Sequence, residues 1–350
     1  MNSGKSVTIG GLTIGGSLPV RVESMLKTSL ADIAACISEA EELFDCGCEL
    51  VRVSLPELEL AENLKKLVIS SPMPLMADIH FNPGLAIAAL EAGCPSIRIN
   101  PGNMGSGEGL AKVVSLASER GAVIRIGANG GSLNKRQLET AAGDRGAALA
   151  MAVGEQVRLL SGEGFHDIII SAKSSDVMET VRANALLAEK YEYPIHIGIT
   201  EAGPGISGAI KGAAGIALML AQGIGNTIRV SLTAPGKDEV EAGYHILRSL
   251  GMRRRGVDLI SCPTCGRKQI DVMRLVEYVQ RILPKDLPDN FSVAVMGCEV
   301  NGPQEAAQAD LGVAGTADGF VLFKKGVPFT TGTIDTLPEL LRTIIQDITA

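Results

Sequence analysis

Apolar and polar positions alternate on two periods along the first two-thirds of the chain. Short runs rich in β-branched and aliphatic residues recur at Val20–Met25, Leu50–Leu55, Pro74–Ile79, Ser96–Pro101, Val123–Ala128, Asp167–Ala172, Pro194–Ile199 and Thr227–Leu232. Between and after them the apolar spacing is helical, at Ile33–Leu43, Leu58–Val68, Leu85–Ala92, Leu110–Ala117, Leu149–Leu160, Val177–Ala188, Ile206–Ala221 and Lys237–Leu250. Strict strand–helix alternation requires parallel strands joined by right-handed crossovers, and eight such units close into a (β/α)8 TIM barrel. Ahead of it, Val7–Ile14 alternates around Gly10-Gly11 and predicts a hairpin that plugs or caps one end. The pattern changes after the basic stretch Met252-Arg-Arg-Arg-Gly256. Strands are expected near Val257–Ile260, Ser292–Met296 and Phe320–Phe323, with helices at Asp271–Leu283 and Pro338–Asp347. The fold class is thus α/β, with a barrel over residues 1–252 and a small α/β domain over 253–350.

Composition supports this division. With 350 residues, 46% of them hydrophobic and 20% charged, the chain can fill two cores and does not resemble a disordered one. The net charge of −7 argues against a general nucleic-acid surface, so any bound anion must be held by a local cluster of cations. No uncharged apolar run is long enough to span a bilayer and the first residues lack a signal-peptide core, so the expectation is a cytoplasmic protein without membrane partners. Seven cysteines, an odd number, read as reduced thiols, with Cys36, Cys46, Cys48 and Cys94 as small core residues.

The strands carry polar groups near their C-terminal ends, where a barrel builds its active site. These are Arg52, Asp78 with His80, Arg98 with Asn100, Arg125 with Asn129, Ser171 with Lys173, Thr200 with Glu201, and Arg229 with Ser231. One arginine in such a place is commonly a salt-bridged rim residue. Several around one mouth repel each other unless an anion of more than one charge sits among them, which predicts a substrate carrying more than one phosphate. The glycine-rich stretches 127–132 and 203–215 could cradle phosphate on backbone N–H groups or serve only close helix–strand packing.

Three further thiols stand together in the second domain, in Ser261-Cys262-Pro-Thr-Cys265-Gly-Arg267 and Met296-Gly-Cys298-Glu-Val-Asn-Gly-Pro303. A Cys-x-x-Cys turn and a distant third cysteine suit a metal centre, and spacing alone leaves a structural zinc knuckle and an iron–sulfur cluster both open. The last histidine is His245, so no imidazole follows to complete a Cys3His zinc site. Apart from Glu299 beside the thiol, Glu305 is the anionic oxygen ligand within one short loop of Cys298. Three thiols with a weaker fourth ligand tilt the reading towards a cluster reachable by substrate.

Those two motifs, together with Ala77-Asp-Ile-His-Phe81, Ile97-Arg-Ile-Asn-Pro-Gly-Asn103, Ile124-Arg-Ile-Gly127, Ile170-Ser-Ala-Lys-Ser174, Gly198-Ile-Thr-Glu-Ala-Gly203 and Thr227-Ile-Arg-Val-Ser-Leu-Thr233, resemble in order the 4-hydroxy-3-methylbut-2-en-1-yl diphosphate synthase family in its two-domain bacterial form. The resemblance implies a [4Fe-4S] cluster on Cys262, Cys265, Cys298 and Glu305. It implies reductive ring opening and dehydration of 2-C-methyl-D-erythritol 2,4-cyclodiphosphate, with two electrons from a flavodoxin or ferredoxin, in a homodimer. Substrate contacts carry over to Arg52, Asp78, His80, Arg98, Asn100, Arg125, Asn129, Lys173, Ser231 and Asn301, and the acid to Glu201. Two stretches depart from the family: its usual Gln-Ser-Met-Thr-Asn-Thr is Glu23-Ser-Met-Leu-Lys-Thr28, and its usual Gly before the glutamate ligand is Gln304. A left-handed backbone at Gln304 would strain that loop. Two other readings stand beside the reductase: a pterin-dependent barrel transferase with structural zinc, and a non-catalytic iron–sulfur sensor.

Overall fold

The computed structural model describes residues 4–80, 82–100, 107–284, 287–298 and 302–349. Two compact units emerge, Met1–Arg253 and Arg254–Ala350. The first opens with a hairpin of β1 (Ser6–Ile9) and β2 (Leu12–Gly15), followed by β3 (Arg21–Met25), α1 (Ile33–Asp45), β4 (Leu50–Ser54), α2 (Ala61–Ser70), β5 (Leu75–Asp78), α3 (Pro83–Glu91), β6 (Ser96–Ile99), α4 (Gly107–Arg120) and β7 (Val123–Asn129). It continues with α5 (Lys135–Thr140), α6 (Arg145–Gly162), β8 (Ile168–Lys173), α7 (Val177–Lys190), β9 (His196–Ile197), α8 (Gly205–Ala221), β10 (Thr227–Ile228) and α9 (Gly236–Ser249). Side-chain oxygens of Asp32, Asn82, Asp144 and Asp176 accept the first free N–H groups of α1, α3, α6 and α7, which fixes where those helices start.

The eight barrel strands run in the order β8-β7-β6-β5-β4-β3-β10-β9, every ladder parallel, and a bridge from Ile170 to Ile195 joins the two ends. The predicted barrel is present. Two strands are shorter than the apolar pattern suggests: β9 ends at Ile197, ahead of left-handed Glu201 (φ 51°) and Gly203 (φ 113°), and β10 ends at Ile228. Short α5 went unpredicted; a reciprocal cap between Asn134 and Gln137 makes it, not apolar periodicity. The hairpin seals the floor of the barrel, packing Val7, Ile9 and Ile14 on Leu50, Met76, Val123 and Ile169 from the strands. Function is thereby confined to the opposite rim.

The second unit holds β11 (Asp258–Ser261), α10 (Val272–Ile282), β12 (Ser292–Met296), α11 (Gly302–Ala306), β13 (Leu311–Thr316), β14 (Gly319–Lys324), β15 (Val327–Gly332) and α12 (Leu337–Thr349). They form one sheet in chain order, parallel from β11 to β13 and antiparallel from there to β15. Alternation along β12 sends Val293 and Val295 towards Leu275 and Val279 of α10 and Leu341 and Ile344 of α12, while Ala294 and Met296 meet Ala306 at the end of α11. Strands β13 and β15 escaped prediction: the first is interrupted by glycine, the second is a largely exposed edge containing Pro328. No helix among the described residues is long and apolar enough to cross a membrane.

Candidate active site

Parallel register lines up the cations of the barrel mouth. Asp78 pairs with Arg98 across β5 and β6, and Arg98 with Arg125 across β6 and β7, so the three lie in one layer of the rim. Asp78 is buried at the centre of a clasp, 3.5 Å from Nε of Arg52, 3.4 Å from Nη1 of Arg98 and 3.7 Å from Nε2 of His80. Burial pushes its carboxyl up, but the His80 hydrogen bond and the charges of Arg52 and Arg98 outweigh this and hold it well below the usual carboxylate range. The Arg52 guanidinium is pushed down, by burial first and then by Arg125, Arg229 and Arg98. Its Nη2 leans on the Met25 sulfur at 2.9 Å.

A second charged group lies deeper. Glu23, 2% exposed, takes Nη1 of Arg125 on Oε2 at 2.6 Å, while its Oε1 has no hydrogen bond and lies 3.4 Å from Nδ1 of His196. The other ring nitrogen of His196 is 2.8 Å from Nζ of Lys173. Arg229 is held by buried Glu239 at 3.2 Å, and Glu239 also receives Lys27 at 3.2 Å. The departures from the family at positions 23 and 27 therefore add one buried anion and one cation, each with an opposite partner.

Arg52, Asp78, His80, Arg98, Arg125, Asn129, Lys173 and Ser231 line one cavity of about 240 Å³. All eight were singled out as polar groups at strand ends, and the family resemblance implied them as substrate contacts. Arg125 is the least free of them, since Glu23 already engages it. Asn100 lies directly after β6, half-buried, outside this lining. Glu201 is exposed, one residue past Thr200, which reaches the cavity. A left-handed glutamate costs about 1–2 kcal/mol and is retained where the surrounding structure demands it, as at functional rims. Asn301 lies outside the described residues. His196 was not singled out from the sequence and Glu23 only as a departure from the family; that Glu/Gln difference was the signal that could have led to both.

Two of the glycines after β9 serve packing. A Cβ at Gly215 would lie 2.4 Å from Ile199 and one at Gly208 2.2 Å from the Gly203 carbonyl, so α8 needs them to approach the barrel. Buried Cys36, Cys48 and Cys94 behave as core residues; burial raises the Cys48 thiol to about 12 and Cys94 to about 11, which leaves them unreactive.

In the second unit the thiols sit on neighbouring loops. Ser261 pairs with Val295 at the strand ends, Cys262 N–H donates to Val295 O at 3.1 Å, and Gln269 N–H donates to Gly297 O at 2.8 Å. Thr264 is left-handed, φ 62°, which turns the chain between Cys262 and Cys265. A Cβ at Gly297 would meet Val272 at 2.4 Å and the Cys262 sulfur at 3.4 Å, so glycine lets the Cys298 loop run against Cys262. Glu305 is exposed on α11. Gln304 is helical and absent from the left-handed residues, which removes the strain expected there. Among the described residues no three His, Cys, Asp or Glu side chains are gathered at metal-binding distance. The donor set nevertheless fits a thiolate-held cluster in kind: three cysteines, partly or fully exposed, on adjacent loops with a carboxylate on the next element.

Comparison with known proteins agrees with this layout. Residues 4–244 match the GcpE TIM-barrel domain and residues 258–347 the GcpE protein C-terminal domain. The chain is 44% identical over 97% of its length, and 95% of the relative's, to the 4-hydroxy-3-methylbut-2-en-1-yl diphosphate synthase (flavodoxin) of Maridesulfovibrio salexigens. It is 45% identical to the enzyme of the same name from Aquifex aeolicus, over 93% of this chain and 90% of that one. Among solved structures, Yersinia pestis dihydropteroate synthase superposes with a TM-score of 0.51 at 14% identity, covering 72% of this chain and 100% of its own, a likeness of fold alone. That identity is too low to support the pterin transferase reading, and the reductase reading stands. With relatives this similar over nearly its whole length and both domains matched, the chain belongs to the GcpE family of 4-hydroxy-3-methylbut-2-en-1-yl diphosphate synthases and is an oxidoreductase.

Proposed function

We propose that this chain opens the ring of 2-C-methyl-D-erythritol 2,4-cyclodiphosphate reductively, releasing 4-hydroxy-3-methylbut-2-enyl diphosphate and water, as a cytoplasmic homodimer fed by flavodoxin or ferredoxin. The observation that carries the reading is the barrel rim, where Arg52, Arg98, Arg125 and Lys173 share one small cavity. A cyclic diphosphate is the multiply charged ligand such a mouth requires, and a fixed, desolvated clamp is worth several kcal/mol. Arg98 and Arg52 are pre-aimed by Asp78, so little ordering remains to be done when the anion arrives. His80, 56% exposed at the lip, and Asn129 and Ser231 offer further hydrogen bonds to the phosphates and hydroxyls.

Cys262, Cys265, Cys298 and Glu305 are the residues that would hold a [4Fe-4S] cluster. When bound, it supplies single electrons and a Lewis-acidic iron, its carboxylate ligand being harder and more readily displaced than thiolate. Glu201 is the residue to donate the proton with which the departing hydroxyl leaves as water, since it stands exposed on the loop leaving the rim. By the family resemblance Asn301 is a further substrate contact.

The test is anaerobic reconstitution followed by iron, sulfide and zinc analysis and turnover of the cyclodiphosphate with a strong reductant. About four irons and four sulfides per chain with product formation are expected. One zinc, no sulfide and no turnover would overturn the redox reading.

A further inference from the structure

We propose that Glu23 is a positioning residue: through Arg125 and the His196–Thr227 pair it sets the place and charge of Lys173, holding the barrel mouth ready for an anion of more than one charge. The inference rests on the anion-binding reading above and deepens it.

The short contacts couple the protons along this line to the charge of Lys173. When Lys173 is an ammonium it only donates, and Nζ at 2.8 Å then requires a lone pair on Nε2 of His196. The imidazole hydrogen is then on Nδ1, facing the Thr227 hydroxyl at 2.8 Å and Oε1 of Glu23 at 3.4 Å. His196 is 1% exposed and neutral: burial first, then the charges of Lys173 and Arg125, press its pKa down against the pull of Glu23. Glu23 therefore selects the tautomer that accepts from Lys173. Gly198 leaves the space, since a Cβ there would lie 3.1 Å from Nζ and 2.4 Å from the Arg229 carbonyl.

Lys173 is crowded by cations. Burial comes first in pressing its pKa well down; Arg125 on β7, Arg52 on β4 and Arg229 just beyond β10 add to this, and Glu23 on β3 works the other way. Asp78, Arg98 and His80 share the same cavity, with Asp78 already engaged by Arg52 and Arg98. Glu23 is thus the resident counter-ion of the ammonium until a ligand supplies a second one, and anion binding should draw a proton onto Lys173. The sign follows. Removing the Glu23 charge lowers the Lys173 pKa further, so anion affinity must fail at a lower pH.

Inorganic pyrophosphate titrated calorimetrically into the full-length protein, from about pH 6 to about pH 10, reads this directly. The wild type should lose affinity on an alkaline limb, and Glu23→Gln should move that limb down by about one unit, making binding about tenfold weaker between the two limbs. Glu23→Asp, which keeps the charge, should hold the limb in place, and Lys173→Met should abolish it. An unshifted limb in Glu23→Gln, or a limb that survives Lys173→Met, overturns the inference while leaving the anion site standing. Failure of the wild type to bind pyrophosphate at any pH removes the anion-site reading itself. Should Glu23→Gln not fold, ¹⁵N shifts of the His196 ring in the wild type decide: a protonated Nδ1 with bare Nε2 supports the assignment, and the reverse sinks it.

Discussion

Asp78→Asn isolates what the clasp contributes. Two guanidinium contacts at 3.5 and 3.4 Å, at an effective dielectric constant of about 20, give a gross attraction of about 10 kcal/mol. Dehydrating the carboxylate and its partners takes back most of it, and breaking one side of a buried pair leaves a net cost of about 3 kcal/mol. In a unit of this size that lowers the melting temperature by about 6–10 °C. The folded-state pKa of Asp78 is depressed, so its stabilisation is complete above the unfolded value near about 4 and is lost as pH falls towards the folded one. Calorimetry of both proteins at about pH 7 should show the full gap, narrowing by about 1 kcal/mol per pH unit below about pH 4. The KM for the cyclodiphosphate should rise at least about tenfold as Arg52 and Arg98 lose their common anchor. A variant melting within about 1 °C of the wild type at neutral pH, or a gap indifferent to acid, refutes the reasoning.

Glu201→Gln should reduce kcat by about 10²-fold or more with KM nearly unchanged and the iron content intact, read by steady-state kinetics and metal analysis; a kcat within twofold removes Glu201 as the acid. Glu305→Ala should leave a cluster that bleeds iron on anaerobic gel filtration, with little turnover, and undiminished activity would discharge Glu305 as a ligand. Thr264→Gly relieves a left-handed β-branched residue and should stabilise the second unit by about 1 kcal/mol in urea titrations; a loss of stability there would show that φ 62° is not strained in this turn.

The barrel was legible because strand–helix alternation and strand-end polarity are written in short-range pattern, and Arg52, Asp78, Arg98, Arg125 and Lys173 fall on that pattern. What partner each side chain takes was not legible. Whether Arg125 faces a ligand or a buried carboxylate depends on β3 and β7 meeting across the barrel interior, a contact of long sequence separation. Periodicity likewise shows His196 as an apolar-strand residue, and only the structure brings its ring against Lys173. In the second unit β13 carries two glycines and α11 spans five residues, too few to display a helical period. The ends of β9 and β10 were overestimated because apolar runs continue past the point where the backbone turns away.

Those two shortened strands divide the barrel mechanically. β9 and β10 give two paired residues each, whereas β7 pairs through six positions with β8. Amide hydrogens of β9 and β10 should therefore exchange sooner than those of β7 and β8, since local opening there breaks fewer ladder bonds. That firm pair carries Arg125 and Lys173 of the cavity lining, and the pliant strands lead into the segments of Glu201 and Ser231. On the proposed reading, ligand capture then has one fixed jaw and one yielding jaw: charge is met by a surface that need not move, and the bulk of a ring is admitted by the side that can.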